Sequence, residues 1–218
     1  MPLGIVVGLA AEARIARGLG AVAIGGGLPA GAEAAAERLV QDGATALLSF
    51  GLAGGLDPNL AAGDLVVPVL VIEDGGRYTT DDALCQALGG ATAQALFAGD
   101  RILGLARDKH ALSQSSGASA IDLESGAVAR VAHHHRLPFA VLRAICDPAD
   151  RDLPHAALVA LDGGGAIRGL RVLGSILLRP WQIGGLLALA WDAALARRAL
   201  RRAAGGLSKR LGYEDEEE

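Results

Sequence analysis

Residues 120–150, AIDLESGAVARVAHHHRLPFAVLRAICDPAD, contain the elements that decide the fold. An acidic start leads into a helix of small residues, which a Leu-Pro break separates from a short apolar run typical of a buried strand in a parallel sheet. We expect Asp122 or its neighbour to cap this helix, with Glu124 in the first turn. Asp147 then follows the strand, at the sheet edge where open α/β proteins bind ligands. The stretch predicts two carboxylates facing one cleft; a helix cap and a turn aspartate before proline is the alternative.

The residues before this stretch alternate between apolar runs and helical patterns. Glycine follows several of the runs, which predicts an α/β fold with a mostly parallel sheet covered on both faces. A glycine-rich loop at residues 51–55 lacks the G-x-G-x-x-G spacing, so we do not expect a dinucleotide fold; such a loop lets backbone approach a ligand closely. The predicted strands are 4–9, 21–24, 44–50 and 65–73, and the predicted helices are 11–17, 30–41 and 81–88.

Composition limits the classes of function. The 218 residues suit one sizeable α/β domain, and a net charge of −4 gives no basic cluster for nucleic acid. Cys85 and Cys146 form no recognisable spacing motif, and the chain has no secretory signal. Both observations favour reduced thiols and a cytoplasmic location. The apolar run at residues 3–9 lacks a basic flank and continues into Glu12 and Arg14. It is therefore predicted to be a strand and not an export signal.

A helix with an apolar repeat is predicted near the C-terminus. Ile183, Leu187, Trp191 and Leu195 recur every four residues, and four arginines follow. The helix is too short and too interrupted to span a bilayer, but it can lie on a membrane surface or pack into the core. The predicted organisation is a catalytic domain at 1–180, this amphipathic helix at 181–204, and an acidic disordered tail at 205–218.

Two blocks carry a resemblance to a known family. Asp-Leu-Glu at 122–124 with Arg-Ala-Ile-Cys-Asp-Pro-Ala-Asp at 143–150, and Ser-Phe-Gly-Leu-Ala-Gly-Gly-Leu at 49–56 continuing to Gly-Asp-Leu-Val-Val-Pro at 63–68, resemble the purine/uridine phosphorylase and nucleosidase superfamily. The Arg-Pro-Trp-Gln-Ile run at 179–183 and the arginine-rich end are most similar to its hopanoid-associated phosphorylase branch. The resemblance covers roughly residues 4–202.

The resemblance implies a fold and a reaction. The fold is a three-layer αβα arrangement around a mostly parallel or mixed sheet, with an extra apolar C-terminal helix. The reaction is cleavage of the N-glycosidic bond of adenosylhopane, which releases adenine and leaves ribosylhopane if water is the acceptor, or phosphoribosylhopane if phosphate is. We favour water. The resemblance further implies no metal or organic cofactor, a homodimer, and peripheral contact with the inner face of the membrane.

Roles for individual residues follow from the matched motifs. Cleavage needs a carboxylic acid held protonated by a sheltered site, and the motif assigns proton donation to purine N7 to Asp147. Glu124 would bind the ribose hydroxyls, and Glu12 would position the attacking water. Leu123 would also contact ribose. The adenine-binding residues implied by the resemblance are Ala53, Gly54, Ile102 and Leu103, the last two on a predicted strand at 99–103, where relatives carry an aromatic in place of Ile102.

Other assignments remain open. Leu52 stands where phosphorolytic relatives often have Ser or Thr, although Arg14, Arg77 and Arg101 remain candidate anion ligands. The chain can instead be a 5′-methylthioadenosine/S-adenosylhomocysteine-type nucleosidase or a non-catalytic nucleoside-binding protein. The three histidines at 133–135 point to different sides of one helix, so we do not expect them to bind a metal together.

Overall fold

A computed structural model describes residues 2–154 and 183–211, which form nine strands and six helices. The α/β alternation expected from the sequence is confirmed. The strands are β1 (Leu3–Val7), β2 (Ala21–Ile24), β3 (Ala46–Gly55), β4 (Leu65–Val66), β5 (Pro68–Glu73), β6 (Gly76–Thr79), β7 (Ala93–Ala98), β8 (Ala120–Asp122) and β9 (Phe139–Asp147). The helices are α1 (Ala10–Ala16), α2 (Pro29–Gln41), α3 (Asp82–Ala87), α4 (Ala106–Ser116), α5 (Ser125–His135) and α6 (Ile183–Leu211).

All nine strands join one mixed sheet. Strand β1 lies between β2 and β3, and β9 lies on β3, with each of these pairs parallel. The sheet continues from the C-terminal end of β3 through antiparallel β8 to β7, β5 and β6. Strand β4 pairs antiparallel with β9. This topology puts the C-terminal ends of β1, β3 and β9 side by side, where ligands bind in open α/β sheets.

Strand β9 shows how alternating side chains build two core layers. Phe139 and Val141 pack into a cluster with α2 and α5, whereas Ala140 and Leu142 pack into a second cluster with α1, α3 and α6. Successive side chains of a strand point to opposite faces of the sheet. A run that is apolar at every position, such as residues 139–142, is therefore buried on both faces of the sheet. Helices therefore lie on both sides of the sheet, as the three-layer prediction requires.

Three predicted elements differ in the structure. The glycine block at 51–55 is the end of strand β3 and not a loop, because its backbone pairs with β9 and β8. The predicted strand at 65–73 is broken at Val67 into β4 and β5, which pair with different neighbours. The predicted strand at 99–103 is a loop, since β7 ends at Ala98. Strands β6, β7 and β8 and helix α4 were not predicted.

Helix α6 is longer than predicted and buries a different stripe. It continues to Leu211, so the tail predicted to start at 205 is helical up to that residue, and residues 212–218 lie outside the described part. Burial of Leu207 beside Leu200 explains the continuation through Gly205 and Gly206. The predicted apolar stripe is not the core stripe, because Leu187 is 66% exposed and Trp191 is 69% exposed. Helix α6 packs through Ala196, Leu200, Ala204 and Leu207.

Within residues 2–154 and 183–211, no helix combines the length and apolar character needed to cross a membrane. The predictions for residues 155–182, including those for residues 179–182 of the Arg-Pro-Trp-Gln-Ile run, lie outside the described residues.

Candidate active site

A cavity of about 470 Å³ opens at the C-terminal ends of β1, β3 and β9. Its volume is in the range of about 300–1,000 Å³ typical of small-molecule sites. All eight site residues named from the sequence line it: Glu12, Ala53, Gly54, Ile102, Leu103, Leu123, Glu124 and Asp147. The structure therefore brings together residues that are up to 135 positions apart in the chain. Most of the remaining wall is apolar, and three charged side chains, Arg101, Asp122 and Arg143, also line it.

Glu12 is fixed on one side of the cavity by backbone donors. Its Oε2 accepts hydrogen bonds from the N–H groups of Gly8 (2.9 Å) and Leu9 (2.8 Å), and its Oε1 accepts one from Leu52 N–H (3.0 Å). The contacts with Gly8 and Leu9 cap the start of α1, and the contact with Leu52 ties that helix to β3. Three N–H donors hold the buried carboxylate in one orientation at the cavity wall.

The start of α5 divides capping and cavity lining between two acidic residues. Asp122 caps the helix, because its Oδ1 accepts from the backbone N–H groups of Glu124 (3.3 Å) and Ser125 (3.1 Å). Glu124 occupies the N-cap position, one residue before the predicted first turn, without a side-chain capping bond. Its Oε1 accepts instead from Gly27 N–H at 3.1 Å. The cap by Asp122 thus leaves the Glu124 carboxyl to line the cavity.

Arg143 lies beneath these carboxylates and is 2% exposed. Its Nε is 2.6 Å from Asp122 Oδ2, and its Nη1 donates to Glu124 Oε2 at 3.3 Å. Its Nη2 donates to Ser49 Oγ at 2.6 Å, and Ser49 also accepts from Ser125 Oγ at 3.0 Å. Arg143 lies two residues after Val141 in β9 and therefore on the same face of the sheet. That face is covered by α5, so the guanidinium is buried between the sheet and this helix.

The protonation of Glu124 reflects this enclosure. Burial raises the pKa of the Glu124 carboxyl, Arg143 lowers it, and the nearby Asp122 and Glu12 raise it further, so the net shift is upward. Burial is the largest cause of this shift, and it outweighs the opposing charge of Arg143.

A side chain at position 51 would crowd this cluster, because β3 passes close to it at Gly51. A Cβ at this position would lie 2.7 Å from Arg143 Nη1 and 2.8 Å from Glu12 Oε1. Real Cβ atoms do not approach other heavy atoms this closely, so any side chain would displace the arginine or the glutamate. The glycine block thus makes room for buried charged groups, in addition to bringing backbone to the cavity.

Asp147 ends β9 on the other side of the cavity. The pairing of β3 with β9 shifts register between Ala53 and Gly54, so that Gly54 is opposite Asp147. Asp147 Oδ2 is 2.7 Å from Lys109 Nζ of α4. Burial raises the pKa of the Asp147 carboxyl, and the hydrogen bond and charge of Lys109 partly oppose this rise.

Comparison with known proteins identifies the family of this chain. The family model of the phosphorylase superfamily matches residues 15–96 and 91–178, which are more than half of the chain. The chain belongs to the phosphorylase superfamily.

Solved structures of nucleosidases share the fold of this superfamily member. The 5′-methylthioadenosine/S-adenosylhomocysteine nucleosidase from Neisseria meningitidis, in complex with methylthio-immucillin-A, is 15% identical with a TM-score of 0.71, covering 95% of this chain and 98% of that one. Futalosine hydrolase of Helicobacter pylori strain 26695 is 15% identical with a TM-score of 0.70, covering 97% of each chain. A nucleosidase from Colwellia psychrerythraea 34H in complex with adenine is 20% identical with a TM-score of 0.64, covering 80% and 95%.

The candidate anion ligands and the three consecutive histidines of this phosphorylase-superfamily chain differ in their distance from the cavity. Of the three candidate anion ligands, Arg101 lines the cavity, whereas Arg14 and Arg77 are exposed on α1 and β6 and are absent from its lining. The His133 ring contacts the Tyr78 ring, His135 Nε2 is 2.9 Å from Glu37 Oε2, and the rings of His134 and His135 meet edge to face.

Sequence reasoning assigned no role to two charged residues at the site. Arg143 was part of the quoted motif, and a lone arginine inside an apolar strand run is a signal that could have found it. Lys109 occurs in the polar sequence ARDKHALSQSS, which is typical of a solvated helix. Nothing in that local pattern indicates that its ammonium is buried beside Asp147.

Proposed function

We propose that this protein is an N-ribosyl hydrolase that releases adenine from an adenosine carrying a large apolar 5′ group, with adenosylhopane as the substrate. The observation that carries the proposal is the convergence of Asp147, Glu124 and Glu12 on one cavity. Each carboxyl is buried and differently held, as a site that protonates a base, orients a sugar and activates water requires.

Asp147 is the proposed general acid. A carboxyl whose pKa is raised by burial retains its proton at higher pH than a solvated aspartate, which suits a proton donor. Proton transfer to N7 makes the base a neutral leaving group while the C1′–N9 bond breaks. Ile102, Leu103, Ala53 and Gly54 form the wall on which the base would lie.

Glu124 and Glu12 are proposed to act on the sugar side. Glu124 would accept hydrogen bonds from the ribose hydroxyls and place negative charge near the oxocarbenium-like centre. Glu12, fixed by three backbone N–H groups, would orient a water molecule and take its proton as the water adds to C1′.

The charge balance supports water as the acceptor. Glu12, Glu124 and Asp122 supply three carboxylates around one guanidinium, that of Arg143, and this guanidinium already contacts Asp122 and Glu124. A phosphate dianion near the same centre would be repelled. The Leu52 side chain also offers no hydroxyl to a phosphate.

The apolar wall supports a large 5′ substituent. Leu9, Leu28, Leu153 and Leu189 contribute to the cavity lining. Burying apolar surface contributes roughly 25 cal/mol per Å², so a polycyclic group would add considerable affinity. Leu189 belongs to α6, and the same helix exposes Leu187 and Trp191, which supports contact with a membrane surface from which a lipid-linked substrate would enter.

The test is adenine release from adenosylhopane and from 5′-methylthioadenosine, each with and without phosphate. We expect a higher kcat/KM for adenosylhopane and no dependence on phosphate. A strict phosphate requirement would overturn the water assignment, and preference for the small thioether nucleoside would overturn the hopanoid assignment.

The membrane contact is tested separately by Leu187→Ser with Trp191→Ser. Because both side chains are exposed, the double variant should fold, bind liposomes less and lose activity on adenosylhopane but not on adenosine. Leu200→Ser, in the buried stripe, is the contrasting variant and should lower stability. Unchanged liposome binding by the double variant would remove the interfacial proposal.

A 5′-methylthioadenosine/S-adenosylhomocysteine-type nucleosidase is the second candidate. It is favoured by the similarity in fold to the Neisseria meningitidis enzyme over nearly the whole of both chains. Both candidates use the same three carboxyls, and the substrate panel separates them. A homodimer, expected from the family, remains a proposal that sedimentation measurements would test.

A further inference from the structure

Lys109 is a buried cation that has no role in the proposed reaction as described above. It lies one turn into α4, and its side chain is 1% exposed. Its Nζ is 2.7 Å from Asp147 Oδ2 and donates to the carbonyl oxygens of Pro148 (2.9 Å) and Arg151 (3.0 Å). An ammonium has three N–H donors, and here three acceptors surround it. The side chain is therefore held in one position relative to the end of β9.

The loop after Asp147 has further contacts with the first residue of α4 and with the loop before that helix. Asp152 Oδ1 accepts from the N–H of Ala106 at 2.7 Å, and Leu153 N–H donates to Gly104 O at 2.7 Å. Arg151 pairs with Asp192 of α6. The segment that follows the carboxyl is thus fixed on two sides, with Lys109 at its centre.

Stability alone is a weak reason for such a buried ion pair. Removing a carboxylate and an ammonium from water costs several kcal/mol per ion, and apolar residues of similar volume often stabilise a fold as well or better. A buried charge in contact with a group that must gain and lose a proton has a second consequence, because it changes the stability of one protonation state.

We propose that Lys109 is a positioning residue for Asp147, which holds the carboxyl at the cavity and stabilises the carboxylate formed when the proton is given to the base. This inference rests on the proposed function. Because Lys109 engages Oδ2, Oδ1 is the oxygen that can carry the transferred proton. Lys109 itself does not line the cavity, so it acts through Asp147.

The proton and electron balance is simple. The Asp147 carboxyl gives one proton to N7, the electron pair of the C1′–N9 bond goes to the base, and Asp147 becomes a carboxylate paired with the Lys109 ammonium. Water adds to C1′ and gives a proton to Glu12. The free enzyme is restored when that proton returns to solvent and Asp147 takes one up.

Several groups set the protonation of Asp147. Burial raises its pKa, Lys109 and Arg151 lower it, and Asp192 of α6 raises it. Without Lys109, the pKa of Asp147 should rise further, because the main opposing charge would be lost. Asp147 would stay protonated to higher pH but would be a weaker acid.

The experiment uses the full chain with Lys109→Met, Lys109→Gln and Lys109→Arg. Lys109→Gln keeps a donor for the carbonyls without the charge, and Lys109→Arg keeps the charge. Lys209→Met removes an exposed lysine and is the matched control. Two quantities are measured: the titration of the Asp147 carboxyl by carbon-13 NMR, assigned with Asp147→Asn, and the pH profile of kcat/KM for adenine release.

We expect Lys109→Met and Lys109→Gln to move both the Asp147 titration and the alkaline limb of the profile to higher pH. The plateau should fall about 10- to 100-fold, the size expected for loss of one charge-assisted hydrogen bond. Lys109→Arg should restore part of the rate, and Lys209→Met should match the wild type. In the Asp147→Asn background, Lys109→Gln should cause no further loss, because its effect passes through Asp147.

An Asp147 titration that is the same in the wild type and in both charge-removing variants would overturn the proposal. So would a Lys109→Gln effect of equal size with and without Asp147. The NMR titration needs no turnover, so it decides the coupling even if the wild type releases no adenine. Absence of adenine release would count against the proposed function, but the NMR titration would still show whether Lys109 affects Asp147.

Discussion

Glu124 and Asp147 lie in the same cavity but are paired with cations in different ways. Burial raises the pKa of both carboxyls. Glu124 shares Arg143 with Asp122, whereas Asp147 has the Lys109 ammonium as a direct partner at 2.7 Å. An arginine remains charged at any physiological pH, while a lysine is a compact point charge with rotatable donors.

This difference indicates different chemical roles for the two sides of the cavity. Glu12, Asp122, Glu124 and the Arg143 guanidinium have a net charge of −2 when all are ionised, and negative charge there would stabilise a developing sugar cation. The pair of Asp147 and Lys109 is neutral when both are ionised. Protonation of Asp147 leaves the Lys109 ammonium as the remaining charge of this pair.

The largest expected effect comes from removing the acid. Asp147→Asn should lower kcat about 10²- to 10⁴-fold, the usual contribution of general acid catalysis, because an amide cannot deliver the N7 proton. Adenine release measures it, with circular dichroism to verify the fold. Asp150→Asn makes the same chemical change at an exposed neighbouring position and should be active. A variant at position 147 that keeps most of its kcat would remove Asp147 from the mechanism.

The sugar side should respond next. Glu124→Gln should lower kcat/KM about 10²- to 10³-fold, the range seen when one electrostatic stabiliser is removed, since ribose orientation and negative charge are both lost. Glu37→Gln, at a partly exposed glutamate paired with His135, is the control. Full wild-type activity with 2′-deoxyribosides would contradict the hydroxyl contact assigned to Glu124.

The pH profile should show which side titrates. The Asp147 carboxyl has a raised pKa and must be protonated to act, so kcat/KM should fall as pH rises through that pKa. The rate falls with rising pH because deprotonated Asp147 can no longer donate a proton. Spectrophotometric rates from acid to alkaline pH measure it, and an alkaline limb that persists unchanged in the residual activity of Asp147→Asn would assign the titration to another group.

Crowding around Arg143 gives a smaller effect on stability. Gly51→Ala should destabilise the protein by about 1–3 kcal/mol, because its methyl group would meet Arg143 Nη1 and Glu12 Oε1 below 3 Å. Thermal unfolding measures it. Gly205→Ala, in α6 where the added Cβ meets nothing beyond the backbone of its own helix within 4 Å, is the control and should be neutral or stabilising. Equal stability of Gly51→Ala and the wild type would show that the cluster can relax.

The smallest expected effect is that of phosphate on the wild type. Adding phosphate should leave the rate of adenine release unchanged, because the anionic sugar side disfavours a second anion. Quantifying free ribosyl product against phosphoribosyl product checks this directly, and accumulation of the phosphorylated product would reverse the interpretation of the charge cluster.

Local patterns predicted the parts of this molecule that depend on sequence neighbours. The α5–β9 unit was predicted because a helix of small residues, a Leu-Pro break and an apolar run have clear local signals. Arrival of Glu12, Glu124 and Asp147 at one cavity was anticipated from matched motifs and from the rule that parallel strands end at one edge.

Tertiary packing explains the features that were missed. Lys109 donates hydrogen bonds to the loop after β9, a tertiary contact that a polar helix sequence does not reveal. In α6, apolar periodicity indicated Leu187 and Trp191, yet alanine-rich turns around Leu200 pack closest to the sheet because small side chains allow close approach. The glycines at 51–55 indicate a loop because glycine is permissive, although pairing with β9 keeps this segment extended.

The central claim is tested most directly by the time course of adenine release from adenosylhopane, 5′-methylthioadenosine and adenosine, with wild type and Asp147→Asn compared at equal concentration. The account predicts that the wild type releases adenine, fastest from adenosylhopane, and that Asp147→Asn is slower by about 10²- to 10⁴-fold with every substrate that reacts. A wild type that binds adenine but cleaves none of the three nucleosides would contradict it and identify a nucleoside-binding protein instead.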